Sequence, residues 1–136
     1  MTLKELLNSG DRFAATSGIV ITRVEPGLCE AEMTVAENHL NAAGVCQGGA
    51  LFTLADVSMA GVANATGQVT LGINGQIEYI HSAHLGDHLT AHCIAVADGK
   101  LPLATVDVRN QDGTLIAHFT AQGYRKRDPL PFDGLM

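Results

Sequence analysis

Several residue types are scarce in this chain of 136 residues. It has no tryptophan, aromatic residues make up 4% of it and charged residues 16%. Basic residues number 8 against 14 acidic ones, so the formal net charge is −6 at pH 7. Nucleic-acid binding needs a basic surface, so this balance excludes that class of partner. The apolar content of 46% predicts a globular protein and excludes a disordered one.

Cysteine is also rare, and its distribution indicates the compartment. The three cysteines, Cys29, Cys46 and Cys93, form no CxxC pair. The N-terminus holds charged residues and no long apolar run, so we expect no signal peptide. These features predict reduced thiols in a cytoplasmic protein. The apolar stretch 42–65 contains Asp56 and four glycines, which make it too polar to span a membrane.

Alternating and β-branched segments predict six strands, and Asp-Gly pairs predict hairpin turns between them. The expected strands are 18–25, 30–35, 70–80, 88–97, 101–110 and 114–127. In the third of these, Leu71, Ile73, Ile77 and Tyr79 share one parity. A short amphipathic helix is expected at 2–8, and a second, long helix opens at Gln47 and stops between Asn64 and Gly67.

The long helix is apolar on nearly every face, so it must be buried on nearly every side. The element order therefore predicts an α+β fold in which an antiparallel sheet of about five to six strands wraps around one central helix. We expect a single domain over 1–136, with its core at about 12–127 and a loose tail at 128–136.

Asp56 is the one charged residue between 45 and 64. An unpaired buried carboxylate is costly, so Asp56 is satisfied by hydrogen-bond donors, reached by solvent or functional. The helix begins at Gly48 and Gly49, and the first N–H groups of a helix lack partners within it. Glycine lets a ligand approach these donors, as an oxyanion hole requires. A simple tight turn is the alternative interpretation of the two glycines.

Gly48 and Asp56 lie eight positions apart, which is about 12 Å along one helix. Groups that act on one carbonyl must lie about 3 Å from it, so a single chain cannot bring both to one substrate. Two antiparallel copies of the helix around a two-fold axis would place Gly48 of one chain beside Asp56 of the other. A functional Asp56 therefore predicts a homodimer with shared sites.

Three segments carry a family resemblance: NAAGVCQGGALFTLAD (41–56), YIHSAHLGDHLTAH (79–92) and VDVRNQDGTLIAHFTAQGYRK (106–126). Over about 12–127 the chain resembles the hotdog acyl-CoA thioesterases of the phenylacetate-degradation (PaaI-like) type. The resemblance implies the hotdog fold and hydrolysis of acyl-CoA or aryl-CoA thioesters. It assigns Gly48 as the oxyanion donor, Asp56 as the nucleophile or general base, and Asn41 as a positioning residue. It also implies shared-site dimers paired into a homotetramer.

The chain departs from the family pattern at three positions. Gln47 replaces a histidine, and an amide can donate a hydrogen bond to a thioester carbonyl but cannot carry a proton near pH 7. Ser82 replaces a proline. Gly72 stands where the family has a water-orienting hydroxyl, and Thr70 is the candidate to replace it.

Coenzyme A would bring several phosphates to this acidic chain. The basic residues expected near them are Arg125, Lys126, Arg127, Arg109 and Lys100. Gly49 would let the substrate approach, and Leu40 and Leu51 would line the acyl pocket. We expect no cofactor and no metal.

Other interpretations start from nucleophiles and histidines. Cys46 with His39 is a candidate nucleophilic pair, against a role as a small core residue. A metal site would need at least three ligands, and on a strand only His88 and His92 share a face. A non-catalytic acyl-CoA-binding module, a sensor or carrier, is the alternative to an enzyme.

Overall fold

The computed structural model describes residues 1–136 and contains three α-helices, two single-turn 3₁₀ helices (Glu37–His39 and Asn64–Thr66) and six strands. The α-helices are α1 (Leu3–Gly10), α2 (Arg12–Thr16) and α3 (Gly48–Ala63). The strands are β1 (Val20–Glu25), β2 (Leu28–Thr34), β3 (Gln68–Tyr79), β4 (His88–Ala97), β5 (Leu103–Arg109) and β6 (Leu115–Pro129). None of the helices is long and apolar enough to cross a membrane.

All six strands form one sheet in the order β1-β2-β4-β5-β6-β3. Every neighbouring pair is antiparallel. The sheet curls around α3, which contacts all six strands. The predicted α+β hotdog architecture is confirmed, with six strands and one long enclosed helix.

Close packing of α3 against the sheet depends on small side chains. Gly61 lies on the Cys29 side chain so closely that an added methyl group would overlap the sulfur. On the same helix Leu54 is fully buried, and Phe119 from β6 is fully buried in the same core. The core therefore lies between α3 and the concave face of the sheet.

The two ends of the chain differ from the prediction. The sequence indicated one N-terminal helix, whereas Asp11 caps a second one, α2, by accepting a hydrogen bond from Ala14 N–H at 3.0 Å. The expected loose tail is corrected as well. Backbone bonds tie it to α1, with Leu3 N–H donating to Gly134 and Lys4 N–H to Leu135.

Strand β3 corrects the predicted parity. A register shift between Gly72 and Asn74 inserts Ile73 as an extra residue. Such a bulge reverses which side chains face the core on either side of it. Leu71 therefore lies on the opposite face from Tyr79, and Leu71 and Ile73 are each 57% exposed.

Candidate active site

The N-terminus of α3 presents free hydrogen-bond donors. Gly48 is its first residue, and neither Gly48 N–H nor Gly49 N–H has an acceptor within the chain. The positive end of the helix dipole adds to their attraction for a negative oxygen. The arrangement leaves the Gly48 N–H free for the role of oxyanion donor that the sequence predicted.

A cavity of about 290 Å³ opens beside Gly48, and its lining includes Asn41, Leu51 and Tyr79. Asn41 Oδ1 accepts hydrogen bonds from the N–H groups of Ala43 and Val45 at 2.9 and 3.2 Å. The amide nitrogen of Asn41 therefore remains available to a ligand. Asn41 and Gly48, both predicted site residues, share this cavity.

Asp56 lies two helical turns further along α3, in a separate cavity of about 170 Å³. Thr70, Gly72 and Met59 also line that cavity. A methyl group added at Gly72 would lie 3.9 Å from Asp56 Oδ1, so the position that lacks the family hydroxyl does face the carboxylate.

The electrostatic surroundings of Asp56 favour its protonated form. Its side chain is exposed in the single chain, and it receives no hydrogen bond from any other residue. Removal of part of its water by the surrounding protein raises the pKa of Asp56, and the nearby charge of Asp11 raises it further. A carboxylate with a raised pKa is a better general base near neutral pH.

One face of α3 joins the two cavities. Gly48, Phe52 and Asp56 are spaced four residues apart, so they lie on one stripe of the helix. Phe52 packs beneath Gly75 of β3, where an added methyl group would lie 2.9 Å from its ring. The stripe therefore runs under β3, with Gly48 at one end and Asp56 at the other.

Gln47, Gly49 and Leu40 border a third cavity, of about 180 Å³. Gln47 and Gly48 thus line different cavities, although they are neighbours in the sequence. In a single chain the Gln47 side chain lies on the Gly49 side of the helix start, with its Oε1 3.0 Å from a methyl group added at Gly49.

The expectation that Arg125 binds phosphate is corrected. Its side chain is 9% exposed and forms an ion pair with Asp98 at 2.7 Å. It also donates to the carbonyls of Gly99 and Ala63 at 2.7 and 2.9 Å. Nearly all its donors are used within the chain, because it ties the end of α3 to the sheet.

Thr70 and Lys126 differ in whether their polar groups are available to a ligand. The Thr70 hydroxyl donates to Gln68 O at 3.1 Å and accepts from Arg125 Nε at 3.3 Å. It is thus committed to structural contacts, although Thr70 lines the Asp56 cavity. Lys126 lies on the surface, 43% exposed, with Asp128 at 3.6 Å.

The Cys46–His39 pair is not supported. Burial raises the pKa of the Cys46 thiol to about 11, which disfavours the thiolate. His39 accepts a hydrogen bond from Ala36 N–H at 2.9 Å, and its other ring nitrogen lies 2.7 Å from Ser17 O. These bonds give His39 a structural role in the loop before α3.

Four of the five remaining histidines pair with acidic residues, and the fifth, His81, lies 2.9 Å from the Leu115 carbonyl. His88 lies 2.5 Å from Glu32, and His92 lies 3.0 Å from Glu30. No group of three or more histidine, cysteine or acidic residues could hold a metal ion.

Sequence reasoning missed two residues at the site. Tyr79 lies on Gly48, and Asp11 lies near enough to Asp56 to affect its pKa. Both contacts join residues that are far apart in the sequence, so no local sequence pattern predicts them. Tyr79 had one signal, its position at the end of a strand and at the start of a segment that carries the family resemblance, 79–92.

Comparisons with known proteins identify the family. The model of the thioesterase superfamily matches residues 43–117. The acyl-coenzyme A thioesterase PaaI of Escherichia coli is 30% identical over 116 residues, 85% of this chain and 83% of that protein. Human acyl-coenzyme A thioesterase 13 is 33% identical over 103 residues, 73% of this chain and 74% of that protein. The chain belongs to the thioesterase superfamily.

Solved structures agree with this assignment. A structure of the E. coli PaaI protein from the phenylacetic acid degradation operon has a TM-score of 0.84 at 25% identity and covers 96% of this chain and 100% of its own. A Streptococcus mutans protein bound to acetyl CoA has a TM-score of 0.78 at 28% identity, covering 82% and 90%. The predicted resemblance to PaaI-like hotdog thioesterases is confirmed.

Proposed function

We propose that this protein hydrolyses acyl-CoA or aryl-CoA thioesters at a site shared by two chains. Asp56 of one chain and the Gly48 N–H of its partner act on the same thioester. The observation that carries the proposal is their placement on one stripe of one helix, about 12 Å apart along its axis, where they line separate cavities. Because no single chain unites them, catalysis requires a second copy.

The two edges of the sheet indicate where the second copy binds. At the β1 edge, Asn8 hydrogen-bonds to both the N–H and the C=O of Ile21, at 2.8 and 2.9 Å, and covers the strand. The β3 edge has no such cover between Leu71 and Glu78, and it exposes apolar side chains. An uncovered apolar edge is a template for pairing with another strand. We therefore place the dimer interface at β3.

Antiparallel pairing of two β3 edges also fits the shared site. Tyr79 lies over Gly48, and Gly72 lies over Asp56. If Tyr79 of one chain lies opposite the partner subunit's Gly72, then Gly48 approaches the partner subunit's Asp56. This register also turns the two α3 helices antiparallel, as a two-fold axis requires.

The reaction follows from these positions. Asp56 takes a proton from water, and the water oxygen bonds to the thioester carbon. The carbonyl oxygen becomes negative and accepts the hydrogen bond from Gly48 N–H. Collapse breaks the carbon–sulfur bond, and the departing thiolate takes the proton from Asp56. The products are a carboxylic acid and free CoA.

Direct attack by an Asp56 oxygen on the thioester carbon is the second route. It forms a mixed anhydride and releases CoA, and water then hydrolyses the anhydride. A single turnover in H₂¹⁸O followed by mass spectrometry, together with chemical trapping of an acylated enzyme, distinguishes the routes. Label incorporated into Asp56 indicates the nucleophile, because water that opens the anhydride at the Asp56 carbonyl leaves its oxygen there. Label found solely in the product acid indicates the general base when no acylated Asp56 can be trapped, since water that opens an anhydride at its acyl carbon gives the same labelling.

The remaining elements of the proposal concern the substrate and the setting. Lys126 and Arg127 are exposed and replace Arg125 as candidates for the CoA phosphates. Similarity to PaaI, a protein of the phenylacetic acid degradation operon, supports aryl-CoA esters among the substrates. The family resemblance of the sequence also implies that the shared-site dimers pair into a homotetramer. The three free cysteines support a cytoplasmic location.

The test is release of thiol from a panel of aryl-CoA and alkyl-CoA thioesters, with Asp56→Asn beside the natural chain. We expect turnover that collapses in the variant while its fold and assembly persist. Turnover that survives in Asp56→Asn would assign the chemistry to another residue.

A non-catalytic acyl-CoA-binding module is the second candidate, because Gly72 leaves Asp56 without the expected hydroxyl. Saturable binding of the CoA esters without turnover of any of them would favour this module.

A further inference from the structure

The donors around Gly48 include a residue that the sequence did not assign. Gln47 was expected to donate to the thioester carbonyl beside Gly48, yet it lines another cavity. Tyr79 lines the cavity of Gly48. We propose that the Tyr79 hydroxyl is a second hydrogen-bond donor to the thioester oxygen. This inference rests on the proposed thioesterase function.

The contact between Tyr79 and Gly48 is close. A methyl group added at Gly48 would lie 2.6 Å from Tyr79 Cζ and 2.7 Å from its hydroxyl oxygen. Tyr79 is the last residue of β3, and pairing with Ala117 of β6 fixes its backbone. The phenol end of the side chain therefore lies against the first residue of α3.

The hydrogen-bond donors at this cavity are not used within the chain. The Tyr79 hydroxyl and the Gly48 N–H make no hydrogen bond within the chain, and the Asn41 amide nitrogen is also unused. Three free donors at one cavity suit a ligand oxygen that accepts several hydrogen bonds. A thioester carbonyl gains negative charge during attack, so each such bond strengthens in the transition state.

Tyr79 acts here without transferring its proton. The phenol O–H donates to the carbonyl oxygen while the oxygen is neutral, and the proton stays on Tyr79 when the oxygen becomes negative. Tyr79 thus supplies a donor that the family histidine would otherwise provide, because Gln47, which stands in place of that histidine, lines a different cavity.

The first test compares Tyr79→Phe with Tyr124→Phe, the same change at the other tyrosine, which is 41% exposed on β6. Phenylalanine keeps the ring on Gly48 and removes the hydroxyl alone. We expect kcat to fall on the order of 10²-fold in Tyr79→Phe with KM nearly unchanged, as for loss of an oxyanion donor. Tyr124→Phe should retain activity. Unchanged kcat in Tyr79→Phe would overturn the inference.

The second test does not depend on turnover. A CoA thioester labelled with ¹³C at its carbonyl is bound to Asp56→Asn, and its chemical shift is measured by NMR. Donors at the oxygen move this signal downfield from that of the free ester, and adding Tyr79→Phe should reverse part of the displacement. An equal shift in both variants, or loss of binding with Tyr79→Phe, would contradict the proposed contact. A shift that depends on Tyr79, together with no turnover of any CoA thioester by the natural chain, would leave the contact standing and contradict the hydrolase.

Discussion

At the residue scale, Asp56 combines accessibility with an altered pKa. Partial desolvation, and then the charge of Asp11, raise its pKa above the ordinary value of 3.8. The folded chain therefore keeps the proton at a pH where the unfolded chain has released it. Ionisation of Asp56 therefore lowers the free energy of unfolding. This loss of stability develops as the pH rises through the raised pKa.

This sign gives a prediction for Asp56→Asn. An amide cannot ionise, so the variant should melt at a higher temperature than the natural chain at pH 7. The difference should shrink as the pH falls through the raised pKa and vanish below the ordinary value of 3.8. Thermal melts at several pH values measure it. A variant less stable at pH 7 would show that the charged carboxylate is favourably paired in the native assembly.

Gly72 gives a second prediction at this scale. Gly72→Ser would place a hydroxyl near Asp56, because the nearest atom to an added methyl group is Asp56 Oδ1 at 3.9 Å. The hydroxyl can orient the attacking water, so we expect kcat above that of Gly72→Ala, the control of similar bulk. Equal rates in the two variants would show that water at Asp56 needs no further partner.

The site residues differ in whether the neighbouring sequence indicates their role. Asp56 stands out as a lone charge in an apolar segment, and Gly48 as a glycine at a helix start, so both could be predicted. Arg125 was misassigned because its partners Asp98 and Ala63 are distant in the sequence. Tyr79 was missed for the same reason, since folding alone brings it to Gly48.

At the scale of elements, the guanidinium of Arg125, whose side chain is 9% exposed, helps to hold the end of α3. Arg125 reaches the Ala63 carbonyl, the Thr70 hydroxyl and Asp98. Positive charge at a helix C-terminus also complements the helix dipole. Arg125 is therefore a structural residue that joins α3, β3 and the β4–β5 connection.

Arg125→Met should accordingly lower stability and leave substrate affinity nearly unchanged. Loss of these charged hydrogen bonds costs about 2–3 kcal/mol of unfolding free energy. Denaturant titration checks the first effect, and KM for a CoA ester checks the second. Arg127→Met, at an exposed position, is the matched control and should unfold like the natural chain. A large rise in KM without loss of stability in Arg125→Met would restore its phosphate-binding role.

Helices and strands could be predicted where their hydrophobic patterns extend over many residues. The buried helix and six strands follow from apolar spacing and from the Asp-Gly turns. The five-residue helix α2 is too short to show a period, and its cap at Asp11 is its main signal. The bulge at Ile73 was invisible because it depends on how β3 pairs with β6.

At the scale of the whole molecule, the shape of the monomer is incomplete for its chemistry. Donors for the substrate oxygen and the carboxylate lie at opposite ends of one stripe, beneath an uncovered sheet edge. A second chain that pairs antiparallel at that edge would place its own Asp56 beside Gly48 of the first chain. Dimerisation and catalysis are therefore one requirement in this account.

The most direct test of the shared site is complementation between two inactive variants. Asp56→Asn retains the donors at Gly48, and Gly48→Val, whose side chain would overlap Tyr79, retains Asp56. Each variant is purified alone, and the two are then refolded together in equal amounts. Each mixed dimer holds one site with both natural residues, so random assembly predicts recovery of about one quarter of natural activity. A mixture no more active than its separate components would place Asp56 and Gly48 in one chain and contradict the account.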